Sequence, residues 1–303
     1  WGNENIRNFL EEQRDIYRYI HDQTLRLANT GYTPREIAEE VEEPEFMKRS
    51  FSVREYYGTL NHNLKATYQK YYGYFDGNPA SLNPHTPVEE AKRYVKAMGG
   101  AESVLDTAWT AFEEGDYRWA STILNHLVFA DPTNQMGRDM LASTYEQLGF
   151  QAESVLWRNY YLSAAQELRE GIKPRPGVGG VNEDIARAMP IRDFFNLLAV
   201  KLDPAKAKNV SRVINFELTD ADEKVVVTVN NQVENNRVNA WNDRADLSVS
   251  LSRLTLNDIA YGRVLIDDVI ADGSVKVTGS VEMFKAYLDL HDTFDLWFNI
   301  IEP

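Results

Sequence analysis

The stretch Tyr56–Ala80, YYGTLNHNLKATYQKYYGYFDGNPA, combines six tyrosines and one phenylalanine with a single histidine. Four of its apolar residues recur at helical spacing: Leu60, Leu64, Tyr68 and Tyr71. This period predicts an amphipathic helix whose buried face carries all four side chains. His62 lies between two leucines of that face in sequence, so it points away from the centre of the face. The stretch therefore predicts a core helix with one histidine beside its buried side.

The helix is predicted to end before a tight polar turn, Asp76-Gly77-Asn78-Pro79-Ala80. Glycine and proline are strong turn formers, and the side chains of Asp76 and Asn78 can accept bonds from the backbone that follows them. Turn chemistry alone explains these residues, although both side chains are also placed where they could contact a ligand.

The composition is that of an ordinary globular chain. Its 303 residues suggest about two domains, and 43% hydrophobic residues are enough for a sizeable core. The formal net charge of −14 repels nucleic acid and anionic membranes, so neither is expected as a partner. The absence of cysteine excludes disulfides, thiolate metal sites and cysteine nucleophiles. No segment reaches the roughly 18 continuous apolar residues of a membrane span.

The first hundred residues are predicted to be helical. Residues 3–30 keep a helical period and predict one long helix. A second helix is predicted to begin at Thr33-Pro34-Arg35-Glu36, where the threonine hydroxyl and the glutamate carboxylate each accept a free backbone N–H. The same capping box is predicted at Thr86-Pro87-Val88-Glu89, and Gly99-Gly100 should end the helix that it begins.

Residues 101–170 contain an internal repeat. Ala108 and Ala142 are 34 residues apart. Gly115 and Gly149 have the same separation, which is the period of the tetratricopeptide repeat. Small alanines let two helices approach and glycine turns the chain, so the repeat predicts paired helical hairpins. Two units do not make a long concave surface, and packing or dimerisation is therefore favoured over peptide recognition.

A domain boundary is predicted at residues 171–184, GIKPRPGVGGVNED, which contain two prolines and four glycines. Beyond it, Pro190 and Asp203-Pro204 are each predicted to start a helix. Short strands with alternating polarity follow, as in Leu247-Ser248-Val249-Ser250-Leu251. The predicted fold class is an all-helical domain with a tetratricopeptide-like repeat, followed by an α+β domain with a run of short antiparallel strands.

Several strings resemble the bacterial alkyl sulfatases, enzymes that hydrolyse long-chain alkyl sulfate detergents. The matching strings are Tyr57-Gly58, His62-Asn63, Tyr68-Gln69 and Phe75-Asp76-Gly77-Asn78-Pro79-Ala80. That family combines a metallo-β-lactamase-like domain, a helical dimerisation domain and a C-terminal domain like sterol carrier protein. The resemblance covers the last two domains and a tail of the first. Because the chain opens in mid-pattern without an initiator methionine, we expect it to be the C-terminal part of a longer protein.

The resemblance divides the chain into four segments. Residues 1–32 are the helical tail of an upstream metallo-β-lactamase-like domain, and residues 33–172 are the helical dimerisation domain. Residues 173–184 are a linker, and residues 185–303 are the domain like sterol carrier protein. The resemblance also implies a homodimer and a bacterial periplasmic or secreted protein.

The C-terminal block resembles the sterol-carrier fold. The matching strings are Leu247-Ser248-Val249-Ser250, Leu254-Thr255-Leu256 and Asp272-Gly273-Ser274-Val275-Lys276-Val277-Thr278-Gly279. That fold encloses an apolar tunnel, and the resemblance implies that Phe284, Leu288 and Trp297 bind the alkyl chain there. The alternative is that each is an ordinary core residue, because an apolar stripe at helical spacing is more often core than ligand site.

The sequence holds no metal motif. The paired-histidine signature HxHxDH of the metallo-β-lactamase-like enzymes is absent, and no two histidines have metal-ligand spacing on one helix. The histidines are His21, His62, His85, His126 and His291. His126 is predicted to pack between helices, and His21 and His291 to lie on the surface. No metal site is therefore expected within this chain. The resemblance implies two zinc ions in the upstream domain, which would polarise the sulfate and supply a hydroxide.

The resemblance implies that His62 is the general acid. The alkoxide that leaves a sulfate ester needs a proton, and a histidine is suited to donate it at neutral pH. Tyr57, Asn61 and Asn63 lie close to His62 in sequence and are predicted to orient it or to contact the substrate.

The function predicted from the resemblance is one part of a zinc-dependent alkyl sulfatase, which hydrolyses alkyl sulfate esters to alcohol and sulfate. Two other functions stay open. A non-catalytic module that binds lipids or other long-chain apolar molecules would rest on the apolar C-terminal block. A helical-repeat scaffold for a partner protein would need an exposed groove on residues 101–170.

Overall fold

In a computed structural model the protein forms two compact units. The structure describes residues 1–174 and 183–303. The helical unit comprises Trp1–Lys173 together with Phe298–Pro303, and the α+β unit comprises Pro174–Trp297. A helix long and apolar enough to cross a membrane does not occur among the described residues.

The described part of the helical unit contains nine α-helices. They are α1 (Asn3–Ala28), α2 (Pro34–Glu40), α3 (Glu45–Arg49), α4 (Leu60–Tyr72), α5 (Pro87–Ala97), α6 (Ala101–Glu113), α7 (Tyr117–Ala130), α8 (Gln135–Gln151) and α9 (Val155–Glu170). The periodicity predictions for α1 and α4 are confirmed. Helix α4 buries Leu60, Leu64 and Tyr68, but Tyr71 is 49% exposed, so its predicted burial is wrong. The Tyr71 hydroxyl lies 3.0 Å from Nε2 of His21.

The two predicted capping boxes have different outcomes. At the start of α2, the Thr33 side chain accepts the Glu36 N–H, and the Glu36 carboxylate accepts the Thr33 N–H at 2.8 Å. Thr86 precedes α5 but makes no side-chain capping bond, so the second box is wrong. The Glu89 carboxylate pairs instead with Arg93 at 2.9 Å, one turn further along the helix.

The helical unit has two apolar cores. The first lies between α1, α2 and α4 and includes Ile16, Ile37 and Leu64. The second joins helices α6 to α9 and includes Ala108 and Ala142, both fully buried. Small side chains at these two positions allow the helices to pack closely.

The tetratricopeptide-like repeat is not confirmed. Gly115 forms the turn between α6 and α7 with φ 80°, a conformation that favours glycine. Gly149, 34 residues later, lies inside α8 instead. A Cβ at Gly149 would lie 2.9 Å from Cδ2 of Leu162, so this glycine allows α9 to approach α8 closely. The two glycines therefore serve different purposes.

The described part of the α+β unit contains five helices and five strands. The helices are α10 (Glu183–Ala188), α11 (Ile191–Lys201), α12 (Arg253–Ala260), α13 (Ile266–Ala271) and α14 (Val281–Leu288). The strands are β1 (Arg212–Leu218), β2 (Glu223–Asn230), β3 (Val233–Val238), β4 (Leu247–Leu251) and β5 (Val275–Thr278). The helix predicted after Pro190 is confirmed as α11, whereas the segment after Asp203-Pro204 forms turns. The predicted linker at 173–184 lies mainly outside the described residues.

The five strands form one mixed sheet in the order β3-β2-β1-β4-β5. Strand β1 pairs with β4 in parallel, with Phe216 opposite Val249, and the other pairings are antiparallel. The prediction of antiparallel strands alone was therefore wrong, because alternation of polarity fixes which side chains are buried and not the direction of the neighbouring strand. Strand β3 was missed because its sequence, VENNRV, is mostly polar.

The core of the α+β unit lies against this sheet. Phe195, Phe216 and Phe284 are almost fully buried there, with ring centroids 5.0 Å apart for the first two and 6.2 Å for the last two. These rings join α11 and α14 to β1, so the helices and the sheet share one core.

Candidate functional site

The candidate site is the N-terminal end of α4. The hydroxyl oxygen of Thr59 accepts the backbone N–H of His62 at 2.9 Å, which satisfies one of the free donors of the first helical turn. The carboxylate of Glu55 accepts the backbone N–H of Leu60. Two side chains thus fix the backbone from which His62 projects.

Glu55 is a partly buried carboxylate. Burial raises the pKa of Glu55, its bond from Leu60 opposes the rise, and the neighbouring acids Glu43 and Glu153 add to it. Glu55 is therefore a titratable group with a raised pKa, close to the start of the helix that carries His62.

The side chain of His62 is exposed and lies off the buried face of α4. Its ring makes no hydrogen bond to any residue in the described part of the chain. Asn63 is exposed as well and packs against Gly58. A Cβ added at Gly58 would lie 3.3 Å from Nδ2 of Asn63. Tyr57 is 70% exposed. The structure therefore exposes His62 and Asn63 in the first turn of α4 and Tyr57 in the loop before it.

A distant part of the chain holds the loop before α4 in place. Ser154 Oγ donates to the carbonyl of Tyr57 at 2.6 Å, and the N–H of Val155 donates to the carbonyl of Tyr56 at 2.8 Å. Arg54 and Glu153 form an ion pair at 2.6 Å beside these bonds. The start of α9 thus fixes the loop that carries Tyr57.

Asn61 is turned towards the protein. Its Nδ2 donates to the carbonyl of Ala38 at 3.1 Å, and its Oδ1 accepts from Lys65 Nζ at 2.7 Å. Burial lowers the pKa of Lys65, while Glu39 opposes the shift and Arg118 adds to it. Asn61 therefore ties α4 to α2 and positions a cation one turn after His62.

The polar turn after α4 has the predicted structure. The N–H of Asn78 donates to Asp76 Oδ1 at 2.9 Å, and the N–H of Ala80 donates to Asn78 Oδ1 at 3.0 Å. Ser81 also donates to Asp76, and these bonds lower the pKa of Asp76. Both side chains are thus used within the turn.

The residues predicted to bind an alkyl chain lie in or near the core of the α+β unit. Phe284 is fully buried, and Leu288 packs partly buried against the same core. Trp297 is half-buried, and its backbone N–H bonds Asp295 at 2.9 Å. Three surface cavities of about 260, 340 and 550 Å³ lie elsewhere on this unit, and none of the three is lined by these residues.

The remaining histidines are partly as predicted. His126 stacks on Tyr94 with ring centroids 4.5 Å apart, and burial lowers its pKa against an opposing effect of Glu90. His291 was predicted to lie on the surface, which is wrong: its side chain is 8% exposed and pairs with Glu234. Among the residues that the structure describes, no cluster of three or more histidines and acids could hold a metal ion.

Sequence reasoning missed several residues of the site, among them Glu55, Thr59, Lys65 and Ser154. Thr59 lies three residues before His62, a spacing typical of an N-cap, so the capping pattern could have identified it. Ser154 is 97 residues from Tyr57, and no local pattern connects the two.

The fold defines a class of protein with a helical unit followed by an α+β unit built on a mixed five-stranded sheet. The family model for alkyl sulfatase dimerisation matches residues 33–171, and the model for the alkyl sulfatase C-terminal domain matches residues 180–303. The chain therefore belongs to the alkyl sulfatase family, and the resemblance read from its sequence is confirmed.

Its relatives carry consistent names. A linear primary-alkylsulfatase from Pseudomonas sp is 44% identical over 303 residues, which are 100% of this chain and 45% of that protein. An (R)-specific secondary-alkylsulfatase from Pseudomonas sp is 42% identical, over 100% of this chain and 46% of that protein. The solved structure of the stereoselective inverting sec-alkylsulfatase Pisa1 from Pseudomonas sp. has a TM-score of 0.95 at 42% identity and covers 100% of this chain and 48% of that one. The chain spans about half the length of these relatives.

Proposed function

We propose that this chain is part of an enzyme that hydrolyses alkyl sulfate esters to an alcohol and sulfate. The observation that carries the proposal is the match of the whole chain, at 44% identity, to a protein named as a linear primary-alkylsulfatase. The dimerisation model on residues 33–171 supports a homodimer built through the helical unit.

In this enzyme His62 donates a proton to the bridging oxygen of the ester. That oxygen gains negative charge as the bond breaks, and a histidine can supply a proton at neutral pH. The exposed ring at the start of α4 supports this role, because a general acid must reach the substrate. Lys65, one turn later, adds positive charge that favours an anionic ester in an otherwise acidic chain.

Tyr57, Asn61 and Asn63 are the proposed neighbours of the substrate. Tyr57 and Asn63 are exposed close to His62 in sequence and can contact the substrate directly. Asn61 has both ends of its amide bonded within the protein, so it acts by holding Lys65 and the register of α4.

The two zinc ions implied by the family would be held by a metallo-β-lactamase-like domain outside this chain. The described residues do not fit a metal site, since no cluster of ligands occurs among them. When bound, the metals would supply a hydroxide and polarise the sulfate. The part of this chain is to donate the proton and to hold the substrate.

The α+β unit is proposed to bind the alkyl chain as a domain like sterol carrier protein, with Phe284, Leu288 and Trp297 on its path. Burying an alkyl chain favours binding by roughly 0.8 kcal/mol per CH₂ group. Phe284 is already fully buried by other core side chains, so such binding requires the core to open around it.

We also propose that α6 to α9 are a divergent tetratricopeptide-like pair that serves packing.

The test is the His62→Ala variant of the active enzyme that contains this chain. We expect turnover of a long-chain alkyl sulfate to fall by at least about 10² with metal content unchanged. The matched control is His85→Ala, since His85 is exposed in a loop and has no proposed role. Near-normal turnover of His62→Ala, or an equal loss in the control, would remove His62 from the mechanism.

Hydrolysis in ¹⁸O-labelled water identifies the bond that breaks. Pisa1 is described as an inverting enzyme, and inversion at carbon requires attack on carbon. If this enzyme acts in the same way, the label enters the alcohol. If the S–O bond breaks, the label enters sulfate and the leaving group is an alkoxide, for which loss of His62 should be most harmful.

A further inference from the structure

The segment Phe298–Pro303, here called the return segment, lies with the helical unit although it follows the α+β unit in sequence. Its backbone is recognised by Glu167 of α9. One oxygen of this carboxylate, Oε1, accepts the N–H of Ile300 at 2.7 Å and the N–H of Ile301 at 2.9 Å. Glu167 is only 8% exposed, and a buried carboxylate is costly unless such donors are present.

A cation on α8 recognises the acidic side chain of the same segment. Arg138 forms an ion pair with Glu302, and the two side chains are only 16% and 11% exposed. Arg138 also donates to the carbonyl of Leu168 at 2.7 Å and to that of Pro132 at 3.3 Å. These two bonds hold the guanidinium in position independently of the return segment, so it is preorganised for a carboxylate.

The third contact is apolar. Ile301 packs partly buried against the core formed by α6 to α9, whereas the preceding Ile300 is 67% exposed. The side chains of the return segment that contact the helical unit are therefore Ile301 and Glu302.

We infer that α8 and α9 form a recognition site for a peptide with an apolar residue followed by an acidic one, and that the return segment occupies this site within the chain. Without a peptide, Glu167 loses both of its hydrogen-bond donors and Arg138 loses its carboxylate partner. Arg138 keeps its bonds to the carbonyls of Leu168 and Pro132, so its guanidinium stays in position to receive another carboxylate. The scaffold function considered from the sequence would need this face of residues 101–170, which the chain itself fills.

The first test measures binding of an N-acetylated, fluorescently labelled hexapeptide with the sequence of Phe298–Pro303. We expect it to bind a chain truncated after Trp297 and to bind the complete chain at least about tenfold more weakly, because the site is filled there. A peptide carrying Ile301→Asp should bind the truncated chain at least about tenfold more weakly than the parent peptide. Equal binding to both chains, or no binding to a truncated chain that is folded by circular dichroism, would overturn the inference.

The second test uses the complete chain and decides the matter if the truncated chain does not fold. Ile301→Asp should increase hydrogen exchange in α8 and α9 and expose the return segment to proteolysis. Ile300→Asp is the matched control, since it makes the same change at the exposed neighbour and should leave both measurements unchanged. The same exchange pattern in the two variants would show that the segment is not held at this site.

Discussion

A buried ion pair in the α+β unit gives the sharpest stability prediction. His291 Nε2 lies 3.0 Å from Glu234 Oε2, with side-chain exposures of 8% and 0%. The other ring nitrogen of His291 lies 3.1 Å from the carbonyl of Tyr287, also an acceptor. Each ring nitrogen of His291 thus lies within hydrogen-bonding distance of an oxygen, one from the Glu234 carboxylate and one from the backbone of Tyr287.

The surroundings of this pair offer little further compensation. The second oxygen of Glu234 and the hydroxyl of Tyr287 have no hydrogen-bond partner in the described part of the chain. Burial raises the pKa of Tyr287 well above its ordinary value, and the nearby Glu234 carboxylate adds to the shift through its charge. Among the described residues, His291 is the ion-pair partner of Glu234.

Replacing His291 with leucine should lower the free energy of unfolding by about 3–5 kcal/mol, because it leaves an uncompensated buried carboxylate. The double variant His291→Leu/Glu234→Leu removes both charges and should recover most of this loss. The coupling energy between the two sites should then be at least about 2 kcal/mol.

The assay is urea unfolding, monitored by hydrogen exchange on peptides of the α+β unit. A signal specific to this unit is needed because the two units can unfold separately. His21→Leu is the control, because His21 pairs with Asp22 at the surface of the helical unit and should change stability by less than about 1 kcal/mol. A His291→Leu variant as stable as the parent, or a double variant as unstable as His291→Leu, would refute the reasoning.

Two further predictions concern pH. The raised pKa of Glu55 means that its contribution to stability is present in acid and is lost as pH rises through that pKa. Glu55→Gln keeps an acceptor for Leu60 and should therefore raise the urea midpoint at about pH 7 but not at about pH 4; no difference between the two pH values would contradict this. Burial raises the pKa of Tyr145 to about 12, so the helical unit should lose stability between pH 10 and 12 as the phenol ionises. Tyr145→Phe should flatten this alkaline loss in a series of melting curves, and an unchanged slope would argue against the assignment.

The sequence predicted those parts of the site that depend on neighbours along the chain. The helix that carries His62, the position of that histidine off the buried face and the turn at Asp76 and Asn78 all follow from spacing and turn chemistry. The predicted burial of Tyr71 and the predicted capping bond of Thr86 are wrong. The Tyr71 hydroxyl bonds His21, and the carboxylate of Glu89, predicted for the capping box, pairs with Arg93.

Other parts of the site could not be predicted from local pattern. Ser154 holds the carbonyl of Tyr57 across 97 residues, and Val155 donates to the carbonyl of Tyr56. The sequence around Phe284, which was predicted to line the tunnel, fits a core residue and a ligand-binding residue equally well. Only its place among buried aromatic rings shows which other side chains it contacts.

By itself, the sequence determined the helical first half, the α+β second half and the family, because helical period, strand alternation and short motifs arise within a few residues. The tertiary structure alone decided the parallel pairing of β1 with β4, the burial of His291 against Glu234, and the return of Phe298–Pro303 to α8 and α9. Each of these joins distant residues, and its stability comes from charge pairing, backbone hydrogen bonds and apolar burial between them. Such contacts leave no period in the sequence, so they could be found only where the chain folds back on itself.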